Sequence, residues 1–526
     1  MNNFNRRDFM KIVGGGMTMA AFPEMLLAND RFSDYKALVV VDLLGGSDGM
    51  NMFIPADGSQ SSKDGYEVYA KTRSAAVRIT AKDYMSELRN LIGNSGYLEF
   101  ENCGEGANRH QTKDQPYYSD RHTDQSYLKG FYHHQNHGFG GKIATNLVMP
   151  ELAYWLDKGK GVVVQNVGNL ITSATKEELH RDKTIRPPFL FGHDQQATLK
   201  SIGGASLITR PTGWLGLLAD KWINKYTDSG SPHPIYNMNV NMSPFGANKA
   251  LFGNATTGMN YNNTGPVAFD NNLIDRTREK EWFSKDIPDM FERLYADIRL
   301  KVLNDEKKLD GDWKGVTGNN DIFANVKDQF GRELGNVHQA LDLNQIGFDK
   351  EPWNYIESFM TAARLIQIGK SNGLKRQVIY ISIGGWDSHS NMKYTHALSL
   401  RGLSLAIEKF MRGIDHLGLM DKVTLMSVSE FGRSLVTSQG GTEHGWGSNY
   451  FVLGGAVKAG TYGTFNDLTP KGPQDYIDKG RYIPTISFSQ YYATVLKWFG
   501  ATQAEIEYAL PEIKNFSKQD IGFLKS

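Results

Sequence analysis

Ala37-Leu38-Val39-Val40-Val41, running into Asp42-Leu43-Leu44-Gly45-Gly46, is the stretch that decides the fold. A continuous apolar run of this kind suits a strand buried on both faces, and the two glycines mark the turn at its end. Gly161 to Gln165, Val378 to Ile383 and Val423 to Val428 repeat the type. Each is preceded by an amphipathic stretch: Leu147–Leu156, Trp353–Ile368 and Leu403–Leu417 respectively. Strands alternating with helices predict an α/β fold with a mainly parallel central sheet covered by helices on both faces.

Two long segments interrupt the alternation. Residues 56–137 are polar, with Gly, Asn, Tyr and His intermixed. Residues 222–350 begin Asn/Gly/Met-rich around Asn237–Gly265 and turn charged and helical from Arg276 to Leu303. Both read as insertions that decorate the sheet and could wall a site. The 526 residues would allow two or three average domains, but one large domain over 35–526 carrying these insertions also fits. With 40% hydrophobic residues the core needs no covalent staples. The net charge is +1, from 58 basic and 57 acidic residues, which argues against a nucleic-acid partner. Cys103 is the only cysteine, so an intrachain disulfide and a cysteine-rich zinc site are both ruled out.

The N-terminus carries an address. Arg6-Arg7-Asp8-Phe9-Met10-Lys11 is followed by a glycine-rich apolar stretch from Ile12 to Leu27 and a polar exit at Asn29-Asp30. The arginine pair with Phe and Lys at these offsets resembles a twin-arginine (Tat) signal over residues 1–28. A membrane span is a poor fit, because Gly14-Gly15-Gly16 and Pro23 interrupt a stretch shorter than the ~20 apolar residues required. Cleavage after Ala28 and an uncleaved anchor both remain open. The expected location is the periplasm, reached through the Tat translocase.

In open α/β sheets ligands bind beyond the carboxyl ends of the strands. Ser47-Asp48-Gly49-Met50-Asn51 follows the first run, and Gly384-Gly385-Trp386-Asp387-Ser388-His389 follows the run ending at Ile383. Ser429-Glu430-Phe431-Gly432-Arg433 follows Val428, and Gly441-Thr442-Glu443-His444-Gly445-Trp446-Gly447 comes shortly after. Three strand ends and a loop thus deliver Asp48, Asp387, His389, Glu430 and His444. Oxygen and imidazole ligands converging in this way are what one or two divalent cations (Zn, Mn, Mg or Ca) require. Taken singly, an Asp beside Gly is more often a turn residue and a lone His more often structural; the coincidence carries the prediction. His133-His134-Gln135-Asn136-His137 reads as a solvated loop. There is no Gly-x-Ser-x-Gly elbow after a strand and no phosphate-loop lysine.

With these motifs in place, the chain resembles the domain-of-unknown-function 1501 family, Tat-exported proteins of the alkaline-phosphatase-like superfamily. The resemblance also rests on Phe191-Gly192-His193-Asp194-Gln195-Gln196, Val452-Leu453-Gly454-Gly455-Ala456-Val457-Lys458, Pro484 to Ala493 and Trp498-Phe499-Gly500. It implies an alkaline-phosphatase-like fold, with metal positions carried onto Asp48, Asp387, His389, Glu430 and His444. It makes His193 a site-lining candidate, and Asp42 a supporting or structural group. Arg433 is a natural clamp for phosphate, sulfate or carboxylate, its alternative being an internal salt bridge. Catalytic members of the superfamily carry a Ser, Thr or modified Cys nucleophile after the second strand. Here Thr172, Ser173 and Thr175 lack a diagnostic motif, and Ser47 is the hydroxyl beside a presumed ligand.

Two functions follow. One is a metal-dependent hydrolase of phosphate or sulfate esters, with Arg433 and Ser47 as its catalytic candidates and a small anionic ester as substrate. The other is a non-catalytic periplasmic component that keeps a structural metal and binds a glycan or an exported protein partner.

Overall fold

The computed structural model describes residues 32–57, 63–81, 83, 85, 130–206, 211–226, 235–240, 247–254, 259–262, 265–266, 311–317, 321–324, 326 and 351–525. The twin-arginine segment, Cys103 and Arg276–Leu303 lie outside them. Among the described residues no helix is long and apolar enough to cross a membrane.

The fold is α/β. Among the described residues the strands, numbered in chain order, are β1 (Lys36–Leu43), β2 (Phe53–Pro55), β3 (Phe131–His133), β4 (Ile143–Asn146), β5 (Gly161–Gly168), β6 (Ile235–Val240), β7 (Met259–Asn262), β8 (Gly265–Pro266), β9 (Arg376–Ile383), β10 (Val423–Val428), β11 (Arg433–Ser438), β12 (Gly441–His444), β13 (Ser448–Leu453), β14 (Gly460–Tyr462) and β15 (Ile486–Ser487). Ten of them form the central sheet, in the order β14-β5-β13-β10-β1-β9-β6-β7-β8 with β15 also on β5. β1 lies at the centre, parallel to both β9 and β10. The four apolar runs picked out in the sequence are β1, β5, β9 and β10.

The unbroken run of β1 has a direct structural cause. Ala37, Val39, Val41 and Leu43 enter one hydrophobic core, and Leu38, Val40 and Leu44 enter another. Alternate side chains of a strand point to opposite faces, so both faces must be apolar when both are covered. Helices Pro150–Asp157, Glu351–Ser371 and Met392–His416 cover the first face, while Trp214–Tyr226, Phe488–Phe499 and Gln503–Ala509 cover the second. Asp42 breaks the pattern on the second face. It is fully buried, ion-paired with Lys200 Nζ, and accepts from Tyr380 Oη at 2.8 Å. Burial pushes its carboxyl above the usual range, and Lys200 is the main force pulling it down.

Most pairings in the central sheet are parallel, as expected, and two features go beyond the sequence-based plan. The sheet is mixed: β13 runs antiparallel between β10 and β5, and β8 runs antiparallel to β7. Residues between β10 and β13 are spent on the β11–β12 hairpin, and an antiparallel return needs no crossover helix. The described part of residues 222–350 also contributes strands to the sheet itself. β6 pairs with β9 in register from Ile235↔Arg376 to Val240↔Ile381, and β7 and β8 extend the sheet beyond it. Likewise, within 56–137, β3 joins β4 and β2 in a small antiparallel sheet. His133 and His134 hydrogen-bond Gly141 O and Thr145 Oγ1, each at 2.7 Å, inside that hairpin.

His396, on helix Met392–His416, is fully buried edge-on to Trp386, and neither ring nitrogen has a hydrogen-bond partner among the described residues. Burial drives its pKa from 6.5 down to about 4; the Asp48 charge opposes this, and Arg73 and Arg433 add to it. Between those values the unfolded chain binds a proton that the native state refuses. Stability therefore falls as pH drops below 6.5, at pH 5 by about 2 kcal/mol relative to neutrality. Denaturant titrations of wild type and His396→Phe should diverge in this way on acidification. Identical pH profiles would contradict the assignment.

Candidate metal centre

Because β1, β9 and β10 are parallel neighbours, the turns after them leave the same edge of the sheet. Glycine brings the three together. Gly45, at φ 118°, lies so close to the β9 turn that an added Cβ would fall 2.5 Å from Asp387 N, and one on Gly46, at φ 80°, would overlap the Phe431 ring. Any larger residue would separate the turns or strain the backbone.

At this junction His193, Asp387 and His444 each offer one ligand atom, all within 4.8 Å of one another. His193 begins helix His193–Ile202, Asp387 lies on the β9 turn, and His444 ends β12. Both imidazoles are fixed from behind. His193 Nδ1 lies 2.8 Å from Glu430 Oε1, and His444 Nδ1 lies 2.7 Å from the carbonyl of Phe191. Each acceptor holds a proton on Nδ1, so Nε2 of each ring is turned toward Asp387, at 3.5 and 3.4 Å. The Phe431 ring packs against both, with centroids 4.9 and 4.7 Å away. An imidazole whose far nitrogen donates to a carboxylate or carbonyl is the usual arrangement behind a metal-binding histidine.

The electrostatics follow from the packing. The hydrogen bond that His193 donates to Glu430 raises the His193 pKa against the effect of burial, and Glu430's charge adds to it. Burial lowers that of His444, and Arg433 lowers it further, favouring the neutral ring. Burial would lift the Asp387 carboxyl, but the hydrogen bond and charge of Arg433 outweigh it and hold the group below the usual range. One carboxylate with two imidazoles in their neutral form is a donor set suited to a borderline cation such as Zn²⁺, and the raised pKa of His193 means that a cation has to displace a proton there as pH falls.

The other candidates fall around this group in different roles. His389 borders it, with Nε2 2.9 Å from both His444 Nε2 and Asp387 Oδ1 and Nδ1 3.3 Å from Glu443. Glu430, expected as a ligand, stands behind His193 instead; its Oε1 also accepts from Gly45 N at 2.8 Å. Asp48, likewise expected as a ligand, is not in the group. It caps helix Gly49–Met52 by accepting from Met50 N and Asn51 N, and pairs with buried Arg73 at 2.7 Å. The capping preference of Asp accounts for this position.

Arg433 is not free to clamp an anion. It is buried, and it donates to the carbonyls of Gly45, Gly46, Trp386 and Thr442 and to Asp387. The internal salt bridge is the arrangement seen. Ser47 is buried, its Oγ has no partner among the described residues, and its backbone N–H donates to Ser429 Oγ at 2.9 Å. Thr175 caps helix Lys176–Arg181 with its hydroxyl. His193 is the residue that sequence reasoning underrated: it is 237 positions from Glu430, and the motif Phe191–Gln196 marked it only as a site-lining candidate.

Residues 325–490 match the model of DUF1501, a protein family of unknown function. The match supports membership of that family. It takes in the β9 and β10 turns and the β11–β12 hairpin, hence Asp387, His389, Glu430, Arg433 and His444, but not the turn after β1 or His193. No curated protein matches the chain.

Proposed function

We propose that the chain is an exported protein of alkaline-phosphatase-like fold that holds a divalent cation on His193, Asp387 and His444 and hydrolyses a phosphate or sulfate ester there. The observation that carries this reading is the pair of imidazoles committed at Nδ1 and directed at one carboxylate through Nε2. A bound cation would polarise the ester oxygen and lower the pKa of water toward neutrality. The chain's own groups do the rest. Glu430 and the Phe191 carbonyl fix the imidazole tautomers, and Arg433 keeps Asp387 ionised. His389 lies within hydrogen-bond reach of both Asp387 and His444 and can pass a proton at Nε2.

The test is a panel of an aryl phosphate, a phosphodiester and a sulfate ester, run with Zn²⁺, Mn²⁺, Mg²⁺ and Ca²⁺ on folded protein. One ester class should be turned over with metal and not without it, and not by His444→Ala. Failure with every ester would instead favour a glycan- or protein-binding component retaining its metal. Export through the Tat route is part of the proposal. Replacing Arg6 and Arg7 together by Lys should hold the precursor in the cytoplasm, and normal periplasmic accumulation would defeat it.

A further inference from the structure

With Arg433 consumed internally, the site still needs a cation to receive an oxyanion. We infer that Arg481 is that residue, and that it takes a phosphate or sulfate group at the rim of the His193–Asp387–His444 centre. This rests on the ester-hydrolase reading of the same site.

Three observations point to it. First, Arg481 is half-buried and its guanidinium is in no hydrogen bond or ion pair among the described residues, Nε being enclosed without a partner. The carboxylates that act on it electrostatically are Glu443 and Asp475, and both are engaged elsewhere. Glu443 accepts from Ser438 Oγ at 2.7 Å and faces His389. Asp475 accepts from the backbone N–H groups of Lys471, Lys479, Gly480 and Arg481. With no carboxylate among the described residues in hydrogen-bond contact, the Nη donors outside the enclosed Nε are left available to an anionic ligand.

Second, its location is tied to the centre. The Arg481 guanidinium stacks over the Phe191 ring at 4.4 Å, and the Phe191 carbonyl is the acceptor that fixes His444. Phe191 is also two residues before His193. Third, both sides of this contact are held rigidly. The turn carrying Arg481 is pinned by Asp475 and by Gly480 O, which accepts from Leu435 N at 2.8 Å. On the other side, Phe189 and Phe191 adopt left-handed backbone, φ 49° and 72°. That strain persists because Gln196 Nε2 donates to Pro188 O and Phe189 O and His444 to Phe191 O. A planar fork carried on a pinned turn and stacked on a pinned ring suits a tetrahedral oxyanion.

The experiment titrates inorganic phosphate and inorganic sulfate, by calorimetry, into wild type, Arg481→Met and Arg481→Lys, each metal-loaded and metal-free. Methionine keeps an apolar stem over Phe191 without the charge, and lysine keeps the charge without the fork. At least one of the two anions should bind about tenfold or more weakly to Arg481→Met, with metal content and melting temperature held at wild-type values. Arg481→Lys should lie between. If wild type binds neither anion, or Arg481→Met binds both as wild type does, the assignment is overturned whatever the metal does. Arg481-dependent anion binding by a protein that retains no metal would overturn the metal reading and leave the arginine assignment standing.

Discussion

Exchange of His444 for alanine is expected to leave the protein unable to retain a divalent cation through dialysis. The change removes one of three ligand atoms lying within 4.8 Å and frees the Phe191 carbonyl that oriented it. Asp387→Ala should do the same, and it also strips the buried Arg433 of its carboxylate partner. Glu430→Gln is the graded case. It keeps the shape but weakens the acceptor behind His193, and changes of this kind typically cost about 10- to 100-fold in metal affinity. A metal bound only to the folded state stabilises by about 4 kcal/mol at a thousandfold excess over its Kd. Wild type should therefore melt higher with Zn²⁺ than with chelator, and the two alanine variants should not respond. Metal analysis after dialysis is the deciding measurement: full occupancy in His444→Ala would remove that residue from the ligand set.

Lys200→Met is expected to be the most destabilising single substitution away from the centre. Lys200 and Asp42 are both inaccessible to solvent and paired with each other, with Tyr380 as the other donor to Asp42. Without the ammonium, the Asp42 carboxylate would remain buried on β1. Breaking a buried pair from one side costs about 3–5 kcal/mol, while replacing both partners with apolar groups can be neutral. The double variant Asp42→Leu/Lys200→Met should accordingly recover most of the loss. The single variant should also regain stability on acidification, because protonating Asp42 removes the stranded charge. Urea denaturation of wild type, the single variant and the double variant at two pH values measures both effects, and a Lys200→Met loss below about 1 kcal/mol would contradict the account. Lys200 also bears on the centre, since its charge helps keep buried Glu430 ionised against desolvation.

By itself the sequence determined the layered α/β plan. The run through Val39-Val40-Val41 can be apolar at every position only in a strand covered on both faces, and the alternation of β1 between two cores is that same fact in three dimensions. It also marked the loops that meet at the candidate centre, because strand ends followed by glycine, acid and histidine are local features. Tertiary structure alone decided the roles. Asp48 and Asp387 are indistinguishable as acids in glycine-rich turns. Arg73, from a segment that reads as a polar insertion, neutralises Asp48, while Asp387 stands between two imidazoles. Arg433 reads as an anion clamp until carbonyls of the β1 turn, the β9 turn and β12 close on it. The edge strands β6 to β8 were hidden for a related reason: the partner of β6 is β9, more than a hundred residues along the chain, so nothing local marks it as part of the sheet. Pairing, burial and charge compensation depend on neighbours distant in the chain, and for that physical reason they appear only once it is folded.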